Sequence, residues 1–295
     1  MSEVTIAIPT YKRGEILVQT IEHLLKLAPR ATEILIVDQT ELHRPEIVER
    51  LHEWSQNGDI RWIRVSEPSV PHAMNIALRE ARAPIVLFMD DDIVPTDNLV
   101  AEHTAGYDAG IWAVAGQVLQ PGEEEGHFEH LHDGPLRDLE FPFNHNQRCD
   151  VENVMAGNLS VHRGHSLSIG GFDENFIGAA YRFETDFARR MIAAGGRIRY
   201  EPRARLRHLK ITDGGIRAHG DQRRTVSASH TVGDYYFALW HVRRFWPYVL
   251  RRLRRNVVTR WLLWHPWYIP SRLIAEVRGY AIAKRLYRRG RLLME

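Results

Sequence analysis

Three consecutive carboxylates, Asp90, Asp91 and Asp92, directly follow the apolar run 85–89. A run of that length and bulk predicts a strand that is buried on both faces of a sheet. Adjacent carboxylates repel one another and are costly to desolvate unless a cation offsets their charge. In an open α/β sheet, ligands bind beyond the C-terminal ends of the strands. The cluster therefore predicts Mg²⁺ or Mn²⁺ carrying a phosphorylated ligand, with a solvated acidic turn as the alternative.

A second pair of acids, Glu184 and Asp186, lies in the first turn of a helix that the pattern of apolar residues predicts over 183–194. Gly195 and Gly196 mark its end. The helix dipole favours carboxylates in a first turn, so dipole stabilisation explains this pair as well as a chemical role does.

The sequence predicts that alternating strands and helices position these acids. Apolar strands are predicted over 4–8, 34–37, 60–65 and 85–89, with helices from Ile16 to Ala28 and from Ala73 to Ala81 between them. Alternation of this kind predicts a parallel sheet with right-handed crossovers. The second strand also ends in an acid, Asp38. Because parallel strands point the same way, we expect Asp38 and the triplet to line one edge of the sheet.

The chain resembles the family 2 glycosyltransferases of the GT-A fold, over about residues 3 to 225. Five segments resemble motifs of that family in its order: 6–13, with Pro9, Thr10, Tyr11 and Arg13; 34–38; 68–75; 88–92; and the block 170–174 with 183–190. The resemblance implies a metal-dependent, inverting transfer of a sugar from a nucleotide-sugar donor to a hydroxyl acceptor.

By this resemblance the nucleotide is bound by the opening turn, by Asn75 and by Asp91. Asp38 is expected to contact the base or ribose, with capping of the following turn as the alternative. Asp90 is expected to meet the ribose or the water shell of the metal. Asp92 is expected as the direct metal ligand and His208 as a further metal or diphosphate contact. Glu184 aligns with the catalytic base, and Asp186 is expected to orient the acceptor or a loop. The expected nucleotide-binding residues are Pro9, Thr10, Tyr11, Arg13, Asp38, Asn75, Asp90 and Asp91.

Three further residues are expected near the sugars. Gly157 and Asn158 interrupt a strand-like segment, 154–161, which in the family approaches the donor sugar; a β-bulge is the alternative. Arg217 follows a glycine-bearing loop that is expected to close over the donor phosphates, with an ordinary surface loop as the alternative.

Composition limits the remaining choices. The 295 residues are 44% hydrophobic, and the one cysteine, Cys149, leaves no internal disulfide and fits a reducing, cytoplasmic compartment. The formal charge of +2 is uneven, because residues 243–295 carry 14 Lys or Arg and two acids, a net +12, which leaves −10 elsewhere. Leu250, Leu253, Val257, Trp261 and Trp264 recur there at helical spacing. This pattern predicts an interfacial helix on an anionic membrane, with packing on the catalytic domain or homo-oligomerisation as alternatives.

The predicted fold class is α/β: a GT-A type, Rossmann-like, mostly parallel sheet with helices on both faces, plus a basic amphipathic helical C-terminal tail. We expect a nucleotide-sugar-binding half over 1–110, an acceptor-binding half of the same domain over 111–225, and the tail over 226–295. The acceptor is expected to be a saccharide or a lipid-linked glycan in cell-surface glycan synthesis. The alternatives are a sugar-1-phosphate nucleotidyltransferase, a non-catalytic carbohydrate-binding protein and, less expected, nucleic-acid binding by the arginine-rich tail.

Overall fold

A computed structural model describes residues 3–128, 141–211, 214–215 and 223–295. Within these ranges, one mixed sheet contains nine strands. They are β1 Val4–Thr10, β2 Glu33–Asp38, β3 Arg61–Arg64, β4 Ile85–Met89, β5 Ile93–Pro95, β6 Ile111–Leu119, β7 Cys149–Asp150, β8 Asn158–His162 and β9 Arg197–His208.

Helices cover both faces of this sheet. In the described ranges they are α1 Glu15–Leu25, α2 Pro45–Asn57, α3 Val70–Glu80, α4 Leu99–Ala105, α5 Arg163–Ser168, α6 Phe183–Ala193, α7 Val232–His241, α8 Phe245–Val257, α9 Arg260–Trp264 and α10 Ile269–Arg289, with a 3₁₀ turn over Pro266–Tyr268. The predicted α/β class with helices on both faces is confirmed.

The strand order is β3-β2-β1-β4-β8-β6-β9-β5, and β7 pairs with β9. Strands β1 to β4 run parallel, as their separating helices require. Thr10 at the end of β1 pairs with Asp38 at the end of β2, and β4 ends one residue before Asp90. The carboxyl ends of the first strands therefore meet at one edge, as the sequence predicted.

Alternating residues of each central strand enter two separate apolar layers, which is the period-2 pattern of a strand. Leu35 and Val37 of β2 belong to the layer covered by α3, α6 and α7. Ile34 and Ile36 belong to the layer covered by α1, α2 and α4. Burial on both faces explains why these strands are nearly continuous apolar runs.

The second half of the sheet brings distant residues to the same edge. Strand β8 runs antiparallel to β4, with Asn158 opposite Met89, and the predicted strand over 154–161 is therefore strand only from Asn158 onwards. The long strand β9 pairs antiparallel with β5, which places His208 opposite Ile93. His208 thus comes beside the acidic triplet although more than a hundred residues separate them.

The C-terminal helices pack on the same core. Tyr235, Tyr236 and Phe237 of α7 are buried in the layer that also contains α6 residues. Small residues of α10 face α7, and a Cβ on Gly279 would lie 2.0 Å from the Thr231 hydroxyl. The division of the chain at residue 226 stays a prediction.

The predicted apolar stripe of the tail spans two helices instead of one, because the chain bends between Val257 and Arg260. Leu253 packs against the core, while Leu250 and Trp264 are exposed. In the described residues, no helix has the length and apolar character needed to cross a membrane.

Candidate active site

The acidic triplet, which lies between β4 and β5, divides into two groups. Asp91 points inward: its Oδ2 accepts a hydrogen bond from Thr10 Oγ1 at 2.7 Å, and its Oδ1 lies 3.1 Å from Arg13 Nε. Burial, reinforced by the neighbouring acids, raises the pKa of Asp91 to about 7, although Arg13 and Thr10 act in the opposite direction. Asp91 therefore links the segment after β4 to the end of β1 and to the turn that follows it.

Asp90 and Asp92 converge with His208 on one point. Their ligand atoms all lie within 4.8 Å of one another. His208 Nε2 is 3.0 Å from Asp92 Oδ1 and 3.7 Å from Asp90 Oδ2. Two carboxylates and an imidazole form a donor set that suits Mn²⁺, and the carboxylates suit Mg²⁺. The three residues fit a divalent cation.

The orientation of His208 is fixed by Gln120. His208 Nδ1 lies 3.0 Å from Gln120 Oε1, and because an amide oxygen can only accept a hydrogen bond, Nδ1 carries the proton. Nε2 is then the nitrogen that faces the carboxylates. A hydrogen bond on the remote nitrogen is the usual way in which a ligating histidine is oriented, so Gln120 supports the role predicted for His208.

Asp92 is held ionised. Burial acts to raise its pKa, but the hydrogen bond and charge of His208, the charge of Arg13 and the backbone N–H of Ile211 outweigh it and lower the pKa. The Ile211 N–H donates to Asp92 Oδ2 at 2.9 Å. An ionised carboxylate that is 1% exposed is the form that a metal requires.

Gly157 permits the close approach of the chain to Asp90. A Cβ at position 157 would lie 2.3 Å from Asp90 Oδ2, a distance that would force one of them to move. Asn158, directly after it, is fully buried, and its Nδ2 donates to the carbonyls of Gln117 and Ala204. Gly157 thus borders the site, while Asn158 joins β6, β8 and β9.

Glu184 lines the same cleft as the acidic triplet. It lies in the first turn of α6. Burial raises the pKa of Glu184 to about 7; the backbone and Arg182 lower it, and Asp90 raises it further. A carboxylate with such a pKa is a suitable general base near neutral pH.

Asp186 points into the protein and is fully buried. Its carboxylate lies 2.9 Å from Arg190 Nε, 2.5 Å from Arg291 Nη1 and 2.7 Å from His241 Nε2. Burial alone would raise the pKa of Asp186, but the bond from His241 and the two arginines lower it to about 2. The environment of Asp186 is that of an ion-paired structural residue.

The cleft lined by Glu184 and the acidic triplet has a volume of about 640 Å³. Ten of the predicted site residues line it: Pro9, Thr10, Tyr11, Arg13, Asp90, Asp91, Asp92, Gly157, Glu184 and His208. The structure therefore brings together the predicted nucleotide, metal and base residues in one cavity.

Four predicted site residues lie outside the described lining: Asp38, Asn75, Asn158 and Asp186. The carboxylate of Asp38 accepts from the Thr40 N–H at 2.9 Å and from Trp62 Nε1 at 3.0 Å, and lies 2.6 Å from His43 Nε2. Asn75 exchanges two hydrogen bonds with the Phe172 backbone. Both hold segments behind the cleft wall, and their predicted nucleotide contacts stay predictions. Arg217 lies outside the described residues.

Sequence reasoning missed several residues of the site. Gln120 was not singled out, because no motif marks a glutamine whose partner is 88 residues away. The apolar wall formed by Met74, Met155 and Phe183 was missed as well, since its members look like ordinary core residues in the sequence.

A comparison with protein-family models matches residues 5–166 to glycosyl transferase family 2. The match spans more than half of the chain. The chain belongs to glycosyl transferase family 2. It is a glycosyltransferase, and the predicted resemblance is confirmed.

Solved structures share this GT-A fold at low sequence identity. One is the mannosyltransferase PcManGT from Pyrobaculum calidifontis in complex with GDP-Man and Mn²⁺, at 15% identity and TM-score 0.52, covering 98% of this chain and 79% of that one. Another is S. aureus TarS 1–349 in complex with UDP-GlcNAc, at 12% identity and TM-score 0.58, covering 97% and 92%. A third is GalNAc-T7 with UDP, GalNAc and Mn²⁺, at 14% identity and TM-score 0.57, covering 86% of this chain and 54% of that one.

The curated proteins contain no match to this chain. The structural neighbours therefore establish the fold, and the donor, acceptor and reaction course of this glycosyltransferase must be argued from its own residues.

Proposed function

We propose that this glycosyltransferase moves a sugar from a nucleotide-sugar donor to a hydroxyl group of a saccharide or lipid-linked acceptor, with inversion at the anomeric carbon and with Mg²⁺ or Mn²⁺ bound. One observation carries the proposal. Glu184 and the cluster of Asp90, Asp92 and His208 line one cleft of about 640 Å³, so a proton acceptor and a diphosphate site border a single cavity.

Asp90, Asp92 and His208 are the residues that would hold the cation. When bound, such a cation stabilises the negative charge that develops on the departing nucleoside diphosphate. Arg13, whose guanidinium lies 3.5 Å from Asp92 Oδ2, adds positive charge at the same end of the cleft. Tyr11 and Thr10 border the nucleotide from the turn after β1. Asp38 and Asn75 contribute to nucleotide binding indirectly, by holding the segments that form the wall of the cleft.

Glu184 is the general base in this proposal. It accepts the proton of the acceptor hydroxyl while that oxygen forms a bond to the anomeric carbon and the bond to the diphosphate oxygen breaks. The pKa of about 7 leaves a substantial ionised fraction at neutral pH. A single displacement of this kind inverts the anomeric configuration and needs no nucleophile on the enzyme. Cell-surface glycan synthesis is the setting that we propose for it.

We place the enzyme on the cytoplasmic face of a membrane as a peripheral protein. The strongly basic C-terminal residues support this location, because the cytoplasmic leaflet is anionic. The free thiol of Cys149 is compatible with a reducing compartment.

Binding and turnover can be tested separately. Nucleotide sugars should raise the thermal unfolding temperature in the presence of Mn²⁺, because a ligand selective for the folded state stabilises it by mass action. Release of nucleoside diphosphate and NMR of the product anomeric proton then measure transfer and its stereochemistry. Retention of configuration would exclude the single displacement.

The metal assignment has its own test. Replacing Asp92 by Asn removes a charged ligand at similar volume, so metal-dependent binding of a nucleoside diphosphate should weaken at least tenfold and turnover should be lost. Calorimetry with and without Mn²⁺ measures this binding. Unchanged metal dependence in a folded Asp92→Asn protein would remove Asp92 from the ligand set.

Two other functions remain to be distinguished by the same assays. A sugar-1-phosphate nucleotidyltransferase would release pyrophosphate from a nucleoside triphosphate, but residues 9–13 lack the glycine-rich loop that such enzymes place after the first strand. A non-catalytic carbohydrate-binding protein would bind saccharide without releasing nucleoside diphosphate.

A further inference from the structure

Three large apolar side chains protrude from the short helix α9 and the 3₁₀ turn after it. Leu263 is 62% exposed, Trp264 80% and Trp267 64%. We call these three residues the tryptophan wedge. Single exposed apolar side chains are common, but two tryptophans and a leucine within five residues form a cluster that water solvates poorly.

The wedge is held in place from beneath. Leu262 is fully buried, and its N–H is capped by Thr259 Oγ1 at 3.2 Å. The Trp261 ring stacks on His265 with centroids 4.3 Å apart and on Tyr268 at 5.4 Å. The segment is therefore anchored by its inward residues, and the outward ones project without being part of the core.

Exposed arginines precede the wedge in the chain. Six exposed arginines lie between residues 243 and 260, and the stretch 243–275 contains no acidic residue. They are Arg243, Arg244, Arg251, Arg254, Arg255 and Arg260. A second copy of this chain placed over the wedge would bring equal charges together, which disfavours a symmetric dimer on this surface.

Exposed leucine and tryptophan side chains that follow a run of exposed arginines match an anionic lipid surface. Tryptophan prefers the boundary between headgroups and acyl chains, and arginine is attracted to anionic headgroups. A nucleic acid would satisfy the arginines but leave Leu263 in water. We propose that the tryptophan wedge inserts into the headgroup region of an anionic phospholipid bilayer and is the element that docks the enzyme there, an inference that rests on the proposed peripheral location and not on the transfer reaction.

Ion pairs connect the C-terminal helices to the helix that carries the proposed base. Arg252 of α8 forms an ion pair with Asp234 of α7, and Asp234 Oδ1 lies 3.6 Å from Arg182 Nε, directly before the helix that carries Glu184. The acceptor side of the cleft and the docking helices are thus parts of one packed body. That arrangement suits an acceptor that is itself anchored in the bilayer.

The test is co-sedimentation of the full chain with vesicles, without donor or metal, so that its outcome is independent of catalysis. The protein should bind vesicles of phosphatidylcholine mixed with phosphatidylglycerol and bind phosphatidylcholine alone much more weakly. Trp264→Ser combined with Trp267→Ser should lower the partition coefficient on the order of tenfold or more. Arg255→Gln with Arg260→Gln should lower it about thirtyfold at low salt, and less at high salt.

Leu42→Ser is the matched control, since Leu42 is an equally exposed apolar residue in the other half of the chain at 85% exposure, and it should leave vesicle binding unchanged. Equal binding by the wedge variant and the parent protein would overturn the proposal. Failure of the parent to bind either vesicle would overturn it too. Loss of self-association in the wedge variant, measured by light scattering without lipid, would assign the wedge to a protein interface instead.

Discussion

Glu184 and Asp186 are two residues apart in one helix, and about 200° of rotation separates their side chains. Glu184 therefore reaches the cleft while Asp186 is buried among Arg190, Arg291 and His241. The triplet is divided as well, because Asp90 and Asp92 face His208 whereas Asp91 faces Arg13. At this scale the direction of a side chain decides whether a carboxylate serves chemistry or structure.

Glu184→Gln should lower kcat by a factor on the order of 10² to 10⁴, because the amide cannot accept the acceptor proton. Donor binding should stay within a few-fold, since the amide has nearly the shape of the acid. Steady-state kinetics and calorimetry with the nucleoside diphosphate measure the two quantities. Asp186→Asn is the comparison: its main loss should appear in thermal stability, and a larger kcat loss there than in Glu184→Gln would identify Asp186 as the base.

The pH profile tests the same residue. Burial raises the pKa of Glu184 to about 7, and the base must be ionised to act. We therefore expect kcat to fall as the pH drops below about 7 and to level off above it. The acid limb should disappear from the residual activity of Glu184→Gln. A parent profile that stays flat down to the usual pKa of a glutamate would contradict the assignment.

At the level of elements, the pattern of apolar residues was sufficient to predict these strands of the N-terminal half. Strands β1, β2 and β4 fall within a few residues of their predicted positions. Each is buried on both faces of the sheet, and a strand buried in this way is a continuous run of apolar residues. The ends of these strands carry most of the predicted nucleotide site. A parallel sheet fixes where strands end, so motifs at those ends are predictable from sequence.

Other parts of the site depend on pairing that no local pattern encodes. His208 reaches Asp92 because β9 pairs with β5, and Gln120 reaches His208 because β6 pairs with β9. The Asp38 side chain points toward His43 and Trp62. Neither partner belongs to a recognisable sequence motif, so this direction was not predictable. The motif 170–174 bonds through its backbone to the segment that follows α10, a contact between residues more than a hundred positions apart.

That segment, residues 290–295, holds the base-bearing helix from behind. Leu292 N–H donates to Asp173 Oδ1 at 3.0 Å, and Glu174 N–H donates to the Leu292 carbonyl at 2.9 Å. Arg291 lies between Asp173 and Asp186, at 3.2 Å and 2.5 Å from their oxygens. Two buried carboxylates on different elements thus share one arginine.

Arg291→Met should lower the free energy of unfolding by about 2 kcal/mol, the usual cost of losing hydrogen bonds to charged groups. Asp186 retains Arg190 and His241, which limits the loss. Arg289→Met, an exposed neighbour, should change stability by less than about 0.5 kcal/mol. Chemical denaturation of both variants measures the difference, and equal stabilities would show that Arg291 does not join the two elements.

At the scale of the whole molecule, a buried ionic cluster joins the C-terminal helices to the catalytic core. Arg252 Nε lies 3.0 Å from Glu276 Oε2, Arg272 Nη2 lies 2.7 Å from Glu276 Oε1, and Arg252 also pairs with Asp234. All four residues are at most 4% exposed. Helices α7, α8 and α10 therefore share charges that are costly to expose singly. Removal of α8 and α10 would leave Asp234 of α7 without its Arg252 partner.

We accordingly expect the catalytic part and the C-terminal helices to unfold together. Arg252→Met leaves two carboxylates buried with fewer partners, and the loss of one member of such a pair costs about 3–5 kcal/mol. Arg254→Met, on the exposed side of the same helix, is the matched control and should stay within about 0.5 kcal/mol of the parent. Denaturation is followed by tryptophan fluorescence, since five of the eight tryptophans lie between residues 240 and 267, and by far-ultraviolet circular dichroism, which reports on the whole chain. Coincident transitions that shift together in Arg252→Met support a single cooperative unit. A fluorescence transition that moves alone, while the dichroism transition stays in place, would show that the C-terminal helices are an independently folding module and that the ionic cluster does not couple them to the base-bearing helix.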